Sequence, residues 1–430
     1  MTPQGHFMVV APVTSGREAE LRQLLDSMNT EPGLADPHNK VLPFGDFDQL
    51  HFARLVLLDD ATMADLEVLG LPRQHLPLTL ALLGECDGSE EDFLRELAQR
   101  APNGLRQLFS HCQDFDASTD LLAWLRAHSK PTAARYVNRI GRTVRQIHEE
   151  HAVARALAVE ARKAESESGS AMQRRQLLQR FVEGLLLADQ LDLTPPARTP
   201  TGWRLRNLAH AISIPLIALL LLPVWIVLTP FVLILLRRHE TRDIEYCPRP
   251  DRAAVLAMQR LEDRDLSNSF TAIGPVKPGP FRRALLWVVL LAIDYACRHI
   301  FGYGHLARVQ TIHFARWAYL DDGARVLFIS NYDGSHESYM DDFINKVAWG
   351  LNLVFSNGVG WPRTDWLICG GARHELRFKH YQRRHQLPTQ VWYKAYLGLT
   401  LSDLERHSRI RAGLTGDMSE AQALAWLRLL

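Results

Sequence analysis

Two tetrapeptides in this chain are identical and carry chemically capable side chains: His51-Phe52-Ala53-Arg54 and His313-Phe314-Ala315-Arg316. Each sits in an apolar run of strand character. On an extended strand His and Ala face one way and Phe and Arg the other. An arginine placed beside a phenylalanine at a cavity or sheet edge could bind a carboxylate, a propionate or a peroxide oxygen. It could equally pair with the acidic pair that ends each run, Asp59-Asp60 or Asp321-Asp322. Retention in both places favours a structural role, because an active site seldom needs symmetry.

A second candidate is Asp87, in Gly84-Glu85-Cys86-Asp87-Gly88-Ser89, with a counterpart in Ser330-Asn331-Tyr332-Asp333-Gly334-Ser335. A turn from strand to helix wants an Asp or Ser to cap the helix and a Gly to relax the backbone, which accounts for both copies without chemistry. The copies diverge just after, where His336 stands in place of Glu90. His336, Glu337, Asp341 and Asp342 match no metal-binding spacing, and acids gather at helix N-termini in any case. His148-Glu149-Glu150-His151 is not H-E-x-x-H and reads as a solvated helix face.

These residues belong to a longer echo. Phe7 to Pro12 with Gly16 matches Phe270 to Pro275 with Gly279, Cys86 to Phe93 matches Tyr332 to Tyr339, and Leu105 to Ser110 matches Leu351 to Ser356. Matches in one order over about a hundred residues indicate a duplicated unit. In the first copy strands are expected over 6–13, 50–58, 78–83 and 105–111, with helices over 17–28 and 90–99. In the second, strands are expected over 270–275, 311–320, 325–330 and 351–356, with helices over 284–296 and 337–349. That order, β-α-β-β-α-β, is the ferredoxin-like split motif. The division is therefore 1–115, repeat one; 116–200, a helical insert with a small polar linker at 165–171; 201–240, a hydrophobic membrane segment; 241–356, repeat two; and 357–430, an aromatic and basic extension that should pack.

Leu208 to Leu236 holds 29 residues without Asp, Glu, Lys or Arg. A membrane span needs about 20 apolar residues. Two spans would need about 40 and do not fit. Arginines flank both ends, and Pro215, Pro223 and Pro230 interrupt the run. A straight span would part the two repeats. A shallow re-entrant hairpin, bent at proline, would keep both in the cytoplasm. A single span and a buried helix are the alternatives. With Lys+Arg 49 against Asp+Glu 48, nothing marks a general nucleic-acid binder. The five scattered cysteines suggest reduced thiols facing the cytosol.

Tandem ferredoxin-like repeats with packed sheets resemble the dimeric α+β barrel of dye-decolourising peroxidases and chlorite dismutases. Gly84…Asp87-Gly88 resembles the G-x-x-D-G motif of those peroxidases, although the residues after it depart from their pattern. Repeat two and the tail also resemble a group of bacterial membrane-associated proteins that brings no activity with it. The first resemblance implies an α+β fold, a possible haem, Asp87 as proton-moving residue with Arg54 or Arg316 at the polar end of the site, and a second-half histidine, His336 or His313, as ligand. The function expected is a membrane-associated, peroxidase-like oxidoreductase acting on an apolar or lipid-borne substrate. A non-catalytic, membrane-anchored lipid- or partner-binding protein and a cofactor-free oxygenase stand beside it, since fold alone does not establish function.

Overall fold

The computed structural model describes residues 1–73, 75–164 and 169–430. The first half runs β1 (Gln4–Pro12), α1 (Glu18–Asp26), β2 (Asn29–Glu31), β3 (Gly33–Ala35), β4 (Leu50–Leu58), α2 (Asp65–Val68), β5 (Thr79–Asp87), α3 (Glu90–Arg100), α4 (Pro102–Phe109) and α5 (Leu121–Ala127). Then follow β6 (Ala134–Val137), α6 (Val144–Ala164), α7 (Ala171–Leu187), α8 (Thr201–Leu220), α9 (Leu222–Arg242) and α10 (Arg252–Gln259). The second half has β7 (Ser267–Pro275), α11 (Pro280–His299), β8 (Ile312–Leu320), β9 (Arg325–Asp333) and α12 (His336–Phe355). It ends with β10 (Thr364–Asp365), β11 (Cys369–Gly370), α13 (Glu375–His385), β12 (Thr389–Lys394), α14 (Leu401–Ala412) and α15 (Glu420–Leu427).

The fold is mixed α+β. One sheet has the order β1-β5-β4-β12-β3-β2 and the other β6-β8-β9-β7. Each contains an antiparallel trio, β1-β5-β4 and β7-β9-β8, in matching register: Gln4 opposes Asp87 as Ser267 opposes Asp333. β1, β4, β5 and β8 are buried on both faces over most of their length, so they read as apolar runs rather than alternating ones. On one face the sheets pack against each other, Met8, Val56 and Leu83 meeting Ile273, Leu327 and Ile329. On the other faces, α1, α3, α4 and α5 cover the first sheet and α11, α12 and α13 the second.

Each sheet is completed by a strand from the other half. β6 follows the first trio in sequence but pairs with β8, Tyr136 opposite Ala315. β12 follows the second trio but pairs with β4, Tyr393 opposite Ala53. Before crossing, each connecting segment touches its own sheet: Lys130 N–H donates to Met8 O at 2.9 Å and Leu387 N–H to Thr271 O at 2.8 Å. Neither crossing strand was expected, because β6 lies in the stretch read as helical and β12 in the extension.

The strands expected at 105–111 and 351–356 are helical, in α4 and in the last turns of α12. Leu105, Leu108, Phe109 and Cys112 recur at i, i+3, i+4 and i+7, and Pro102 occupies the first turn, a helical signature. Leu351 and Val354 likewise continue the buried stripe of α12. The expected linker at 165–171 lies in its first four residues outside the described ones. Ser170 caps α7, bonding Gln173 reciprocally.

The apolar segment forms two helices, not one. α8 and α9 meet at Leu221, and Pro223 sits in the first turn of α9, where its missing N–H costs nothing. α9 is long and apolar enough to cross a membrane, and most of it is exposed. At one end, His210 of α8 meets His299 on the last turn of α11, 2.9 Å apart, and Tyr295 donates to Ala211 O at 3.3 Å. At the other, His239 of α9 stacks on Phe281 in the first turn of α11, ring centroids 5.0 Å apart. Buried Glu240 accepts from Thr364 Oγ1 (2.9 Å) and from the backbone of Trp366 (3.0 Å) and Leu367 (2.7 Å).

Candidate functional site

The doubled histidines lie on β-bulges, one between Leu50 and Phe52 and one between Ile312 and Phe314. A bulge adds a residue and re-aims its side chain. His51 Nε2 thereby lies 3.0 Å from Asp87 Oδ1, and its Nδ1 lies 3.3 Å from the Tyr396 hydroxyl. His313 Nε2 lies 2.7 Å from Asp333 Oδ1. The other oxygen of each aspartate accepts the first N–H of a helix: Val144 of α6 at 2.9 Å and Leu401 of α14 at 2.7 Å. Each aspartate thus fixes a histidine and caps a distant helix.

The second pair continues into a buried chain. Ser267 Oγ donates to Asp333 Oδ1 at 2.6 Å, and the Lys394 ammonium donates to Ser267 Oγ (2.6 Å) and Asp265 Oδ2 (3.0 Å). Burial lowers the His313 pKa against the pull of Asp333. Burial alone would raise Asp333, but His313, Ser267 and the Leu401 N–H together hold it below the ordinary carboxylate value. The pair is therefore a neutral imidazole donating to a carboxylate. Between His51, His313 and Tyr396 lies a cavity of about 20 Å³, room for one water and no organic substrate.

The arginines do something different from the aspartates. Arg54 crosses to the second sheet, donating to Phe270 O (2.9 Å), Thr271 Oγ1 (3.0 Å), Ser330 O (3.0 Å) and Asn331 Oδ1. Arg316 crosses the other way, donating to Phe7 O at 2.8 Å and lying 3.7 Å from Glu85. Asn331 Nδ2 donates to Glu85 Oε2 at 3.1 Å. Burial lowers Arg54 to about 10, still cationic near neutrality. Burial opposes ionisation of Glu85, but His6, Arg316 and Arg54 outweigh it and keep its pKa low. The structure brings Arg54 and Arg316 together around Glu85, a residue sequence reasoning passed over, and neither arginine bonds Asp87.

His336 opens α12 after its cap Ser335 and is 2% exposed, with both ring nitrogens lacking a hydrogen-bond partner. Burial pushes its pKa down to about 3. Its ring packs on Phe270, centroids 6.1 Å apart. Glu337 and Asp341 pair with Lys379, and Asp342 with Lys346. Among the described residues no group of three metal-ligating side chains comes together.

The residues present do not fit a haem. His313 directs Nε2 to Asp333, and His336 is packed into the core. The space between the sheets, where a barrel would hold its cofactor, is filled by Arg54, Arg316 and the apolar side chains around them.

The large apolar cavity is elsewhere. About 410 Å³ lies between α11, α12 and the loop 300–311, above Trp317 and Phe328 of β8 and β9. Its lining is almost wholly apolar, and the small residues Ala292 and Ala296 of α11 and Gly350 of α12 leave the room. The unbroken apolar run at 284–296 was the available signal: a helix apolar all round has more than one face to bury. α11 faces the sheet and this cavity while also docking α8 and α9.

No family model matches the chain, and no curated protein and no solved structure matches it.

Proposed function

We propose that this is a monotopic membrane protein that takes an apolar, lipid-borne molecule into the cavity between α11 and α12. The observation that carries this reading is the docking of both apolar arms on the two ends of one helix, α11, which also walls the cavity. His299 and Phe281 are about 27 Å apart along α11, at 1.5 Å per residue. A straight helix from His210 to His239 would measure about 44 Å, so the bend at Leu221 is what lets the chain return. Arms of about 17 and 27 Å on a base of about 27 Å place the apex about 16 Å away. Half of a bilayer's hydrocarbon core is about 15 Å. The arms suit one leaflet, and both halves of the chain stay on one side.

Trp287 (60% exposed) and Trp366 (53%) lie on elements that dock the arms, and arginines cluster at both arm ends, as suits the headgroup region. All five cysteines are free, consistent with the cytoplasmic face. The two sheets are read as diverged copies of one ferredoxin-like unit that keep strand order, bulge, arginine and aspartate but have lost the fourth strand to helix and exchanged a strand. The histidine–aspartate pairs then serve the fold, and the function is binding rather than peroxidation. Flotation with phospholipid vesicles tests the proposal. Wild type is expected to float and a variant lacking 211–235 to stay at the bottom; equal behaviour of the two would overturn it.

A further inference from the structure

The loop that walls one side of the apolar cavity carries an exposed cation, Arg308, between the lining residues Ala307 and Val309. The loop after α11 closes in a tight turn, Leu306 and Val309 exchanging both backbone hydrogen bonds at 2.9 Å. Ala307 adopts φ +53°, a left-handed conformation that a residue with a Cβ holds only under constraint. The turn lays Leu306, Ala307 and Val309 against the cavity and leaves Arg308 exposed at its tip. Among the described residues Arg308 has neither an ion-pair nor a hydrogen-bond partner. The interior below offers almost no polar atom, so whatever part of a ligand enters can carry no unsatisfied donor or acceptor. Across the rim, Val288 is 36% and Trp349 44% exposed, so the opening is itself apolar.

We infer that the cavity binds a long-chain carboxylate, a free fatty acid, with its tail between α11 and α12 and its carboxylate on Arg308. A volume of about 410 Å³ lies in the range of small-molecule sites, about 300–1,000 Å³. One isolated guanidinium complements one negative charge. The turn at 306–309 then positions the head and the helices select the tail. The inference rests on the lipid-binding reading above and adds to it the ligand class and its anchor.

The test uses the full chain in detergent-free form with palmitate and its uncharged analogue hexadecanol, read by isothermal titration, with vesicle flotation in parallel. Arg308→Ala is expected to weaken palmitate about fivefold, as one solvent-exposed charge contact would, and to leave hexadecanol unchanged. Gly350→Trp should abolish both ligands. A Cβ at Gly350 meets nothing within 4 Å, so the bulky side chain can enter the cavity without displacing backbone. Equal binding of palmitate by wild type and Arg308→Ala would overturn the anchor, and binding retained in folded Gly350→Trp would overturn the cavity. If neither ligand binds while vesicle flotation persists, the fatty-acid inference fails and the membrane reading survives. If flotation also fails, both fall.

Discussion

His299 of α11 and His210 of α8 stand 2.9 Å apart, ring nitrogen to ring nitrogen. Such a contact holds one proton; protonating both rings places two N–H groups head to head. Burial first, then His210 and Arg298 beside it, lowers the His299 pKa, with Asp294 opposing. A histidine depressed in the docked state is neutral there and binds more protons when released, so docking is complete above about pH 6.5 and weakens as pH falls below it. Arg298 and Arg135 place further positive charge beside the pair, and Arg206 of α8 repels Arg298 of α11. Protection factors in 201–211, after correction for the intrinsic pH dependence of amide exchange, should therefore fall on acidification, and His299→Gln should flatten the response. An unchanged pH profile in that variant would remove His299 as the latch.

Arg54→Ala should be the most damaging single change between the sheets. It removes a donor from the carbonyls of Phe270 and Ser330, from Thr271 Oγ1 and from Asn331 Oδ1, which keeps only the Trp392 indole, and it strands Glu85 with less positive charge. A loss of about 3–5 kcal/mol in urea unfolding is expected, as for breaking a buried charge network. Arg316→Ala, with one direct hydrogen bond, should cost less. A loss below about 1 kcal/mol for Arg54→Ala would show that the guanidinium does not hold the sheets together.

Asp333→Asn tests the double duty of the aspartates. Asp333 is held below its ordinary pKa by its partners, so its contribution is present above about pH 4 and lost as pH falls through the depressed value. The variant should lose about 2 kcal/mol near neutrality and show a shallower acid dependence than wild type. An unaltered acid-unfolding profile would mean that the network does not depend on the charge.

Gly104→Ala and Gly184→Ala separate packing from propensity. A Cβ on Gly104 would lie 1.6 Å from the Val41 carbonyl oxygen, backbone that cannot yield cheaply. A cost near about 3 kcal/mol is expected. Gly184, in α7 with nothing within 4 Å, should gain about 0.5–1 kcal/mol from the same change.

Much of the central architecture could be read from residue patterns, for identifiable reasons. β4 and β8 announced themselves because their apolar runs are bounded by Asp-Asp and share His-Phe-Ala-Arg. α4 did not, because a segment as short as Leu105–His111 supports both periods until Pro102 is weighed. β6 and β12 were missed because each is completed by a partner from the other half, and a pairing so distant leaves no local trace. The role of Arg54 was half visible: its doubling pointed to structure, but its partners, Phe270 O and Ser330 O, are backbone atoms and carry no side-chain signature. The cavity escaped notice because Ala292, Ala296 and Gly350 mark space only once two helices are placed side by side.

The central claim is that the apolar arms enter and leave the membrane on one side. Single cysteines at Gln190 and Asp251, both exposed, flank the arms in a background with Cys247 and Cys369 replaced. Labelling by a membrane-impermeant maleimide on sealed vesicles reports the side of each. The account predicts that both label from the same side and that Leu221→Cys is protected from both. Labelling of 190 and 251 from opposite sides would make the segment a single span and contradict the account.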